Sequence, residues 1–513
     1  MLVCFLLGGI TMKENFNLAP IFTDYMVFQT GKPIHIFGSC KKGVEIKVLF
    51  FNNEVKIKTK SKQFLIELPS SEVVKQGFSF TVVSKRQSKT IYNCLVGDVY
   101  LIAGESNVEF PLKESNDTLI QEQALIRYFD VPSLPYEGAE KEFPTIYKSD
   151  SKWLICDKES PLCFSALGYY ISHNIFENIR IPVGIISCNY ANTSIFSWMN
   201  YQDILENEKL RKHLKEYQEE IYKFSTTEEY DKCYKEKVYE LQDYENKLKS
   251  LSQQGVKISQ IEDTNLLGPK PELPIGPKHP NRPSGIYNSM LKTIFLCHLK
   301  GIIYYQGESD VKNDSFYQEA FQTLVKSWRR EFNNLRLPFF FTQIAGYNYP
   351  LHESQCVSNI RDAQTNCINP NNQVFMVSAI DVGDEFDINP KDKCVISQRI
   401  ANVILEKIYH TGKNSLSPAY FSYQFSKNKL IIYTQFNHLN LVSKSRQNKG
   451  IYLSEDGLFF YETNKVELMN NQIVISNIKN IKEVRYAIQP YPICDIYSSN
   501  ELPLLPFKVK IDI

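Results

Sequence analysis

The sequence predicts an α/β protein: a parallel sheet with helices on both faces, flanked by an N-terminal and a C-terminal β domain. Two observations carry this. From residue 96 to 411, apolar strand-like runs alternate with stretches of helical periodicity, the pattern of β-α-β units. On either side, short runs of alternating apolar and polar residues are broken by Gly, Asn and Ser, the pattern of small antiparallel sheets. At 513 residues the chain exceeds one ordinary core, so more than one domain is expected.

Residues 1–15 come first. The run MLVCFLLGGIT has the apolar core of a signal segment, but no basic residue precedes it and no small-x-small cleavage site follows, while Met12 opens a more ordinary start. We read this stretch as a leader or a mis-assigned start, and expect a cytoplasmic protein; secretion is the alternative if residues 1–11 act as a signal. No run reaches the about 18 apolar residues of a membrane span, so no membrane partner is expected.

Residues 16–95 contain PIHIFG, VEIKVLF, FLIEL and FSFTVVS, which read as an N-terminal β domain. Residues 96–411 then run through VYLIAG (99–104), a helix around 166–176, PVGIISC (182–188), a helix around 287–297 and GIIYYQG (301–307). They continue with a helix over 315–332, PFFFTQIAG (338–346), a short helix near Arg361, VFMVSAID (374–381) and a helix over 393–409. The helix from Ser315 is the best marked: Ser315 and Gln318 form a capping box, and Tyr317, Phe321, Leu324, Val325 and Trp328 recur at helical spacing. Its ordinary role is to cover the sheet.

Within this unit, about 201–285 is an insertion. Residues 201–255 are rich in Glu, Lys and Tyr, with pairs such as Glu208 and Lys212 four apart, the signature of a solvated helical hairpin. Residues 262–283, with six prolines, form an extended return. From 412 to 513 alternation resumes in KLIIYTQF, GIYLSE, LFFYETN, QIVISN and VRYAIQ, a C-terminal β domain.

The formal charge of +1 leaves no electrostatic footprint for nucleic acid. The twelve cysteines form no C-x-x-C pair, so neither a zinc cage nor a dithiol redox site is expected, and Cys188 and Cys297 sit in apolar segments as small hydrophobes. Reduced thiols suit an intracellular chain.

In an open parallel sheet, ligands bind beyond the carboxyl ends of the strands. Three polar clusters stand at such ends: Ser106 after VYLIAG, Gln306 and Glu308 after GIIYY, and the loop DVGDEFDINP with Asp384 and Asp387 after VFMVSAI. Each alone has an ordinary reading as a turn, a cap or a solvated loop. Their convergence on one edge argues for a site.

These residues also carry a resemblance. GESNVEFPL resembles the GQSNMEWPL block of the sialate O-acetylesterase family, a branch of the SGNH (GDSL-type) hydrolases. IPVGIISCNYANTSIFSWM, GIIYYQGESD and DVGDEFDINPKDK are similar to later blocks, in the same order, and FNLAPIFTDYMVFQ and VRYAIQPYPICDIYSSNELPLLPF to segments near the ends.

The resemblance implies an SGNH-type core and a carbohydrate O-acetylesterase acting on sialic acid or another acetylated sugar, with Ser106 as nucleophile. Its own amide and those of Ala191 and Asn192, which stand with Thr193 where the family has Gly-Gly-Thr, would hold the oxyanion. Asn107, Gln306 and Glu308 match positions lining the site. No metal or organic cofactor is implied, and the oligomeric state is left open.

Two departures stand out. The family's D-I-H-P reads Asp387, Ile388, Asn389, Pro390, and an amide has no titratable acceptor for the Ser106 proton. Glu105 replaces a family glutamine. His352, in the loop after PFFFTQIAGYNYP, is the candidate substitute base, and Glu105 or Glu308 would need burial to serve. The alternative function is a glycan-binding pseudoenzyme.

Overall fold

The computed structural model describes residues 16–51, 53–85, 87–132, 151–253, 266–349, 351–426, 428–478 and 480–511. The leader reading of residues 1–15 lies outside them. The chain enters through seven strands: β1 (Phe16–Leu18), β2 (Val27–Gln29), β3 (Ile34–Cys40), β4 (Glu45–Phe50), β5 (Asn53–Lys58), β6 (Gln63–Leu68) and β7 (Val74–Ser84). In β6, Phe64, Ile66 and Leu68 are buried while their neighbours face solvent, the strict alternation of a one-sided sheet. β1, β3 and β6 form one antiparallel sheet, and β4, β5 and β7 lead into the next strand.

That strand, β8 (Gln87–Gly104), is 18 residues long. Its first half pairs antiparallel with β7, and its second half lies in the centre of the main sheet. The boundary read at 95/96 therefore falls inside one continuous strand. From Leu95 to Gly104 every residue is buried, as a strand covered on both faces requires.

The main sheet runs β10-β9-β11-β8-β12-β13-β14, with β9 (Gln123–Asp130), β10 (Leu154–Cys156), β11 (Val183–Asn189), β12 (Gly301–Tyr305), β13 (Phe339–Gln343) and β14 (Val374–Ser378). From β9 to β14 all pairs are parallel; β10 joins the edge antiparallel, so the sheet is mixed. Side chains alternate between two cores. Leu101, Ala103, Ile186, Tyr304 and Phe339 pack with Phe321, Leu324 and Trp328 on one face, and Tyr100, Ile102, Ile185 and Phe340 with Ile171, Ile400 and Val403 on the other.

Nine α-helices are used below: α1 (Ser106–Glu109), α2 (Ala166–Ile179), α3 (Tyr201–Glu206), α4 (Arg211–Ile221), α5 (Thr227–Gln253), α6 (Gly285–Ser289), α7 (Asp314–Glu331), α8 (Ser354–Asn366) and α9 (Cys394–Tyr409). The helix expected over 287–297 is only α6 and a 3-10 turn, Leu291–Thr293. Its apolar residues Ile286, Met290, Leu291 and Ile294 are all buried, so the periodic signal came from burial and not from a long helix. The capping box of Ser315 and Gln318 does not form either. A 3-10 turn, Glu308–Asn313, feeds straight into α7, and the Ser315 amide bonds to Asp314 Oδ1 at 2.8 Å.

In the insertion, α3, α4 and α5 are helical, and the proline-rich return folds back on α5. Lys278 pairs with Asp231 at 3.1 Å, and Gly276 passes so close to Tyr230 that a Cβ there would lie 2.3 Å from its ring. The C-terminal part, from β15 (Ala419–Ser426) to β24 (Phe507–Lys510), forms small antiparallel sheets around Leu430, Ile432, Ile451, Ile473 and Tyr486. All eleven described cysteines are free, and no described helix is long and apolar enough to cross a membrane.

Candidate active site

β8 ends at Gly104 because nothing larger fits: its φ is +150°, and a Cβ would lie 2.0 Å from the Tyr305 carbonyl oxygen of the neighbouring strand. The chain then turns through Glu105 into α1, which begins with Ser106. The serine is half-buried at the carboxyl edge of the sheet.

Its neighbours point inward. Glu105 is 2% exposed; its Oε1 accepts from the amides of Gly307 and Ser309, each at 3.2 Å, and its Oε2 from the Ser309 hydroxyl. Asn107, 1% exposed, donates from Nδ2 to Glu308 Oε1 at 2.8 Å and to the Ile388 carbonyl at 3.3 Å, and its Oδ1 accepts from Lys393 Nζ at 2.6 Å. One amide side chain thus ties together the ends of β8, β12 and β14.

Gln306 is buried and donates to Asp310 Oδ2 at 2.5 Å and to the Thr193 carbonyl at 3.1 Å. Asp310 also accepts from the Ile195 amide at 2.7 Å, so the segment after β11 is fastened to the segment after β12. In that segment the Ala191 amide, expected to face an oxyanion, donates instead to Glu109 Oε2 at 2.9 Å. Asn192 is exposed in the left-handed region, φ 57°.

The loop after β14 is built on its own carboxylates. Asp384 Oδ1 accepts from the amides of Phe386 and Asp387 at 2.8 and 3.1 Å, and Asp387 Oδ1 accepts from the Asn389 amide at 2.8 Å. Asp387 therefore holds the backbone of Asn389, itself half-buried, one residue from the carbonyl that touches Asn107. His352 stands on a 3-10 turn, Leu351–Glu353, with 78% of its side chain exposed and Glu353 at 3.7 Å. No described contact joins it to Ser106.

Burial dominates the electrostatics. Glu105 is pushed well above the ordinary carboxylate range by loss of solvation and by the neighbouring Glu308, and Glu308 is pushed up by burial against the pull of Lys393 and Asn107. Two carboxyls so placed retain a proton at pH values where exposed ones are ionised. Glu308 Oε2, Gln306 Oε1 and the Tyr349 hydroxyl are buried with no hydrogen-bond partner among the described residues. The Tyr349 hydroxyl feels the charges of both Glu308 and Glu105, so it shares one neighbourhood with the two carboxyls. Lys393, Glu109, Asp310 and Tyr349 escape the sequence reading, although Lys393, Glu109 and Asp310 lie inside blocks that carry the resemblance.

Fold and site together define a class. Over 97% of this chain and 100% of the other, the structure matches a carbohydrate acetylesterase from Xanthomonas citri with a TM-score of 0.76 at 18% identity, which shows a shared carbohydrate-esterase fold. The family model described as "Carbohydrate esterase, sialic acid-specific acetylesterase" matches residues 278–406. The chain is 22% identical to the sialate O-acetylesterase of Mus musculus over 97% of its own length and 94% of that protein, and 21% identical to that of Homo sapiens over 67% and 60%. It is thus related along nearly its whole length to the sialate O-acetylesterases.

Proposed function

We propose that this chain is a carbohydrate O-acetylesterase, hydrolysing acetyl esters on sialic acid or another acetylated sugar, with Ser106 as nucleophile in an SGNH-type core. The observation that carries Ser106 is its seat: first residue of α1, half-buried at the strand edge, with Asn107 beside it bonded to both the Glu308 turn and the Asn389 loop. Residues 16–95 and 412–513 flank that core as β units in this reading, the first continuous with it through β8, and the free cysteines support a cytoplasmic location.

Ser106 Oγ attacks the acetyl carbonyl, the sugar hydroxyl leaves with a proton, and water then hydrolyses the acetyl-serine. The Ser106 and Asn192 amides are the oxyanion donors we assign; Ala191 joins them once Glu109 releases its amide. No metal or organic cofactor takes part in this scheme, because the serine supplies the nucleophile. Residue 389 cannot take the Ser106 proton, so turnover is slow, on the scale of the about 10³- to 10⁴-fold over water that positioning and an oxyanion hole retain when a serine hydrolase loses a triad member.

Acetate release from an activated acetyl ester tests this. Ser106→Ala is expected to remove activity, and Asn389→His to raise kcat/KM by about 10² or more, the usual contribution of a placed general base. His352→Ala is expected to leave the rate within about twofold; a large loss makes His352 the proton acceptor. Wild type and Ser106→Ala equally inert, with turnover only in Asn389→His, would leave a glycan-binding role in place of catalysis.

A further inference from the structure

Lys393 lies four residues past Asn389, immediately ahead of α9, and is 1% exposed. Its ammonium donates to Asn107 Oδ1 at 2.6 Å and lies 4.7 Å from the centroid of the Phe110 ring. Among the described residues no carboxylate forms a direct ion pair with it. Burying an ammonium in this way is costly, and leucine or methionine would fill the same space without that cost. The charge therefore answers a need of the site.

Asn107 shows what the need is. Because Oδ1 takes the bond from Lys393, Nδ2 points the other way, to Glu308 Oε1 and the Ile388 carbonyl. A flipped amide would set its NH₂ group against the ammonium, donor against donor, and would lose both of those bonds. The residue before Asn107 is Ser106, and the residue after Ile388 is Asn389.

We propose that Lys393 is a positioning residue of the esterase site: its buried ammonium orients the Asn107 amide, and through it locks the helix that begins at Ser106 to Glu308 and to the loop that carries Asn389. The proposal rests on the acetylesterase reading for its kinetic consequences only; the clamp itself is a matter of geometry.

The clamp is sensitive to pH. Glu308 from the turn after β12, Asp387 from the loop and Asp392 beside it face Lys393 and favour its charge, but burial outweighs them and brings it down to about 8. Above that pH the amine is neutral and holds the Asn107 oxygen more weakly. An arginine in its place stays charged.

The test uses the full chain with Lys393→Met and Lys393→Arg, following 4-nitrophenyl acetate hydrolysis from about pH 6 to about pH 10, with thermal melting in parallel. Lys393→Met is expected to lower kcat by about tenfold or more with KM little changed. Wild type is expected to lose rate above about pH 8, and Lys393→Arg to keep kcat within about threefold of wild type near pH 7 and to extend its plateau past that limb. A methionine variant with wild-type kcat and pH profile overturns the proposal, and so does an arginine variant with an unmoved alkaline limb. Should Lys393→Met fail to fold, the arginine profile decides alone.

If wild type cleaves no faster than Ser106→Ala, the esterase reading fails and the clamp is judged on melting. The unfolded chain binds the lysine proton up to about pH 10.4 while the folded chain releases it near pH 8, so stability relative to Lys393→Met rises between those values. The clamp itself is read from coupling: Lys393→Met and Asn107→Leu together are expected to cost less stability than the sum of the two single losses, and additive losses overturn it.

Discussion

Glu105 shows how one side chain can serve architecture and burden it at once. Its carboxylate collects two backbone amides and a hydroxyl from the turn after β12, yet it sits beside Glu308 with almost no access to water. Burial and that second carboxyl raise it above its unfolded value, so between the ordinary carboxylate range and the folded value the folded state binds the extra proton. Stability then falls as pH rises through that interval. Glutamine removes the charge and keeps an oxygen for the two amides. Glu105→Gln is therefore expected to be near neutral at pH 5 and more stable than wild type by about 1–2 kcal/mol at pH 9, read from urea midpoints. A variant less stable than wild type at pH 9 would show that the carboxylate's three bonds outweigh its burial.

At the scale of elements, the end of β8 is the most constrained point of the fold. Gly104 combines a left-handed φ with a backbone oxygen 2.0 Å from where a Cβ would go, and that oxygen belongs to a sheet strand that cannot retreat without breaking its own ladder. Gly104→Ala is expected to cost about 3 kcal/mol or more, whereas Gly457→Ala, with φ 84° and open space around it, loses only about 1 kcal/mol of backbone strain. Urea unfolding of the two variants makes the comparison, and equal losses would remove the steric argument. The elements that were legible in the sequence are those with a local cause. The buried half of β8, β12 to β14, and α7 each show an uninterrupted apolar run or a helical stripe. β9 was missed because Arg127 interrupts QALIRYFD; the structure buries that guanidinium at 5.4 Å over the Tyr25 ring, a partner no local pattern announces. The capping box failed for the converse reason: its residues were right, but a preceding 3-10 turn already supplied the helix start. In the site, Ser106, Asn107 and Glu308 were legible from strand ends and from the resemblance, while the Glu109 bond to Ala191 and the Lys393 bond to Asn107 join residues 82 and 286 apart and could be seen only in three dimensions.

The whole molecule adds a pH response of its own, through the way the insertion is docked. His213 on α4 lies flat on Phe196, with ring centroids 3.8 Å apart and planes at 15°, and Phe196 belongs to the segment after β11 that Asp310 fastens to the site. Burial lowers His213 to about 4, and Glu216 at 3.7 Å is too exposed to offset it. The sign is fixed by linkage. The unfolded chain takes up this proton near pH 6.5 and the folded chain only near pH 4, so stability is lost as pH falls across that interval, by about 2 kcal/mol for this group. His173, His279 and His298 are lowered to about 4 by the same cause and steepen the loss, while the raised carboxyls of Glu105 and Glu308 oppose it. His213→Leu keeps an apolar contact with Phe196 and carries no proton. It is expected to match wild type within about 1 kcal/mol at pH 7 and to be the more stable of the two near pH 4.5, with proteolytic cutting of α4 and α5 delayed at the lower pH. Should wild type and variant lose stability in parallel from pH 7 to pH 4.5, His213 is not the group that ties the insertion's docking to protons, and the remaining three histidines carry the acid response between them.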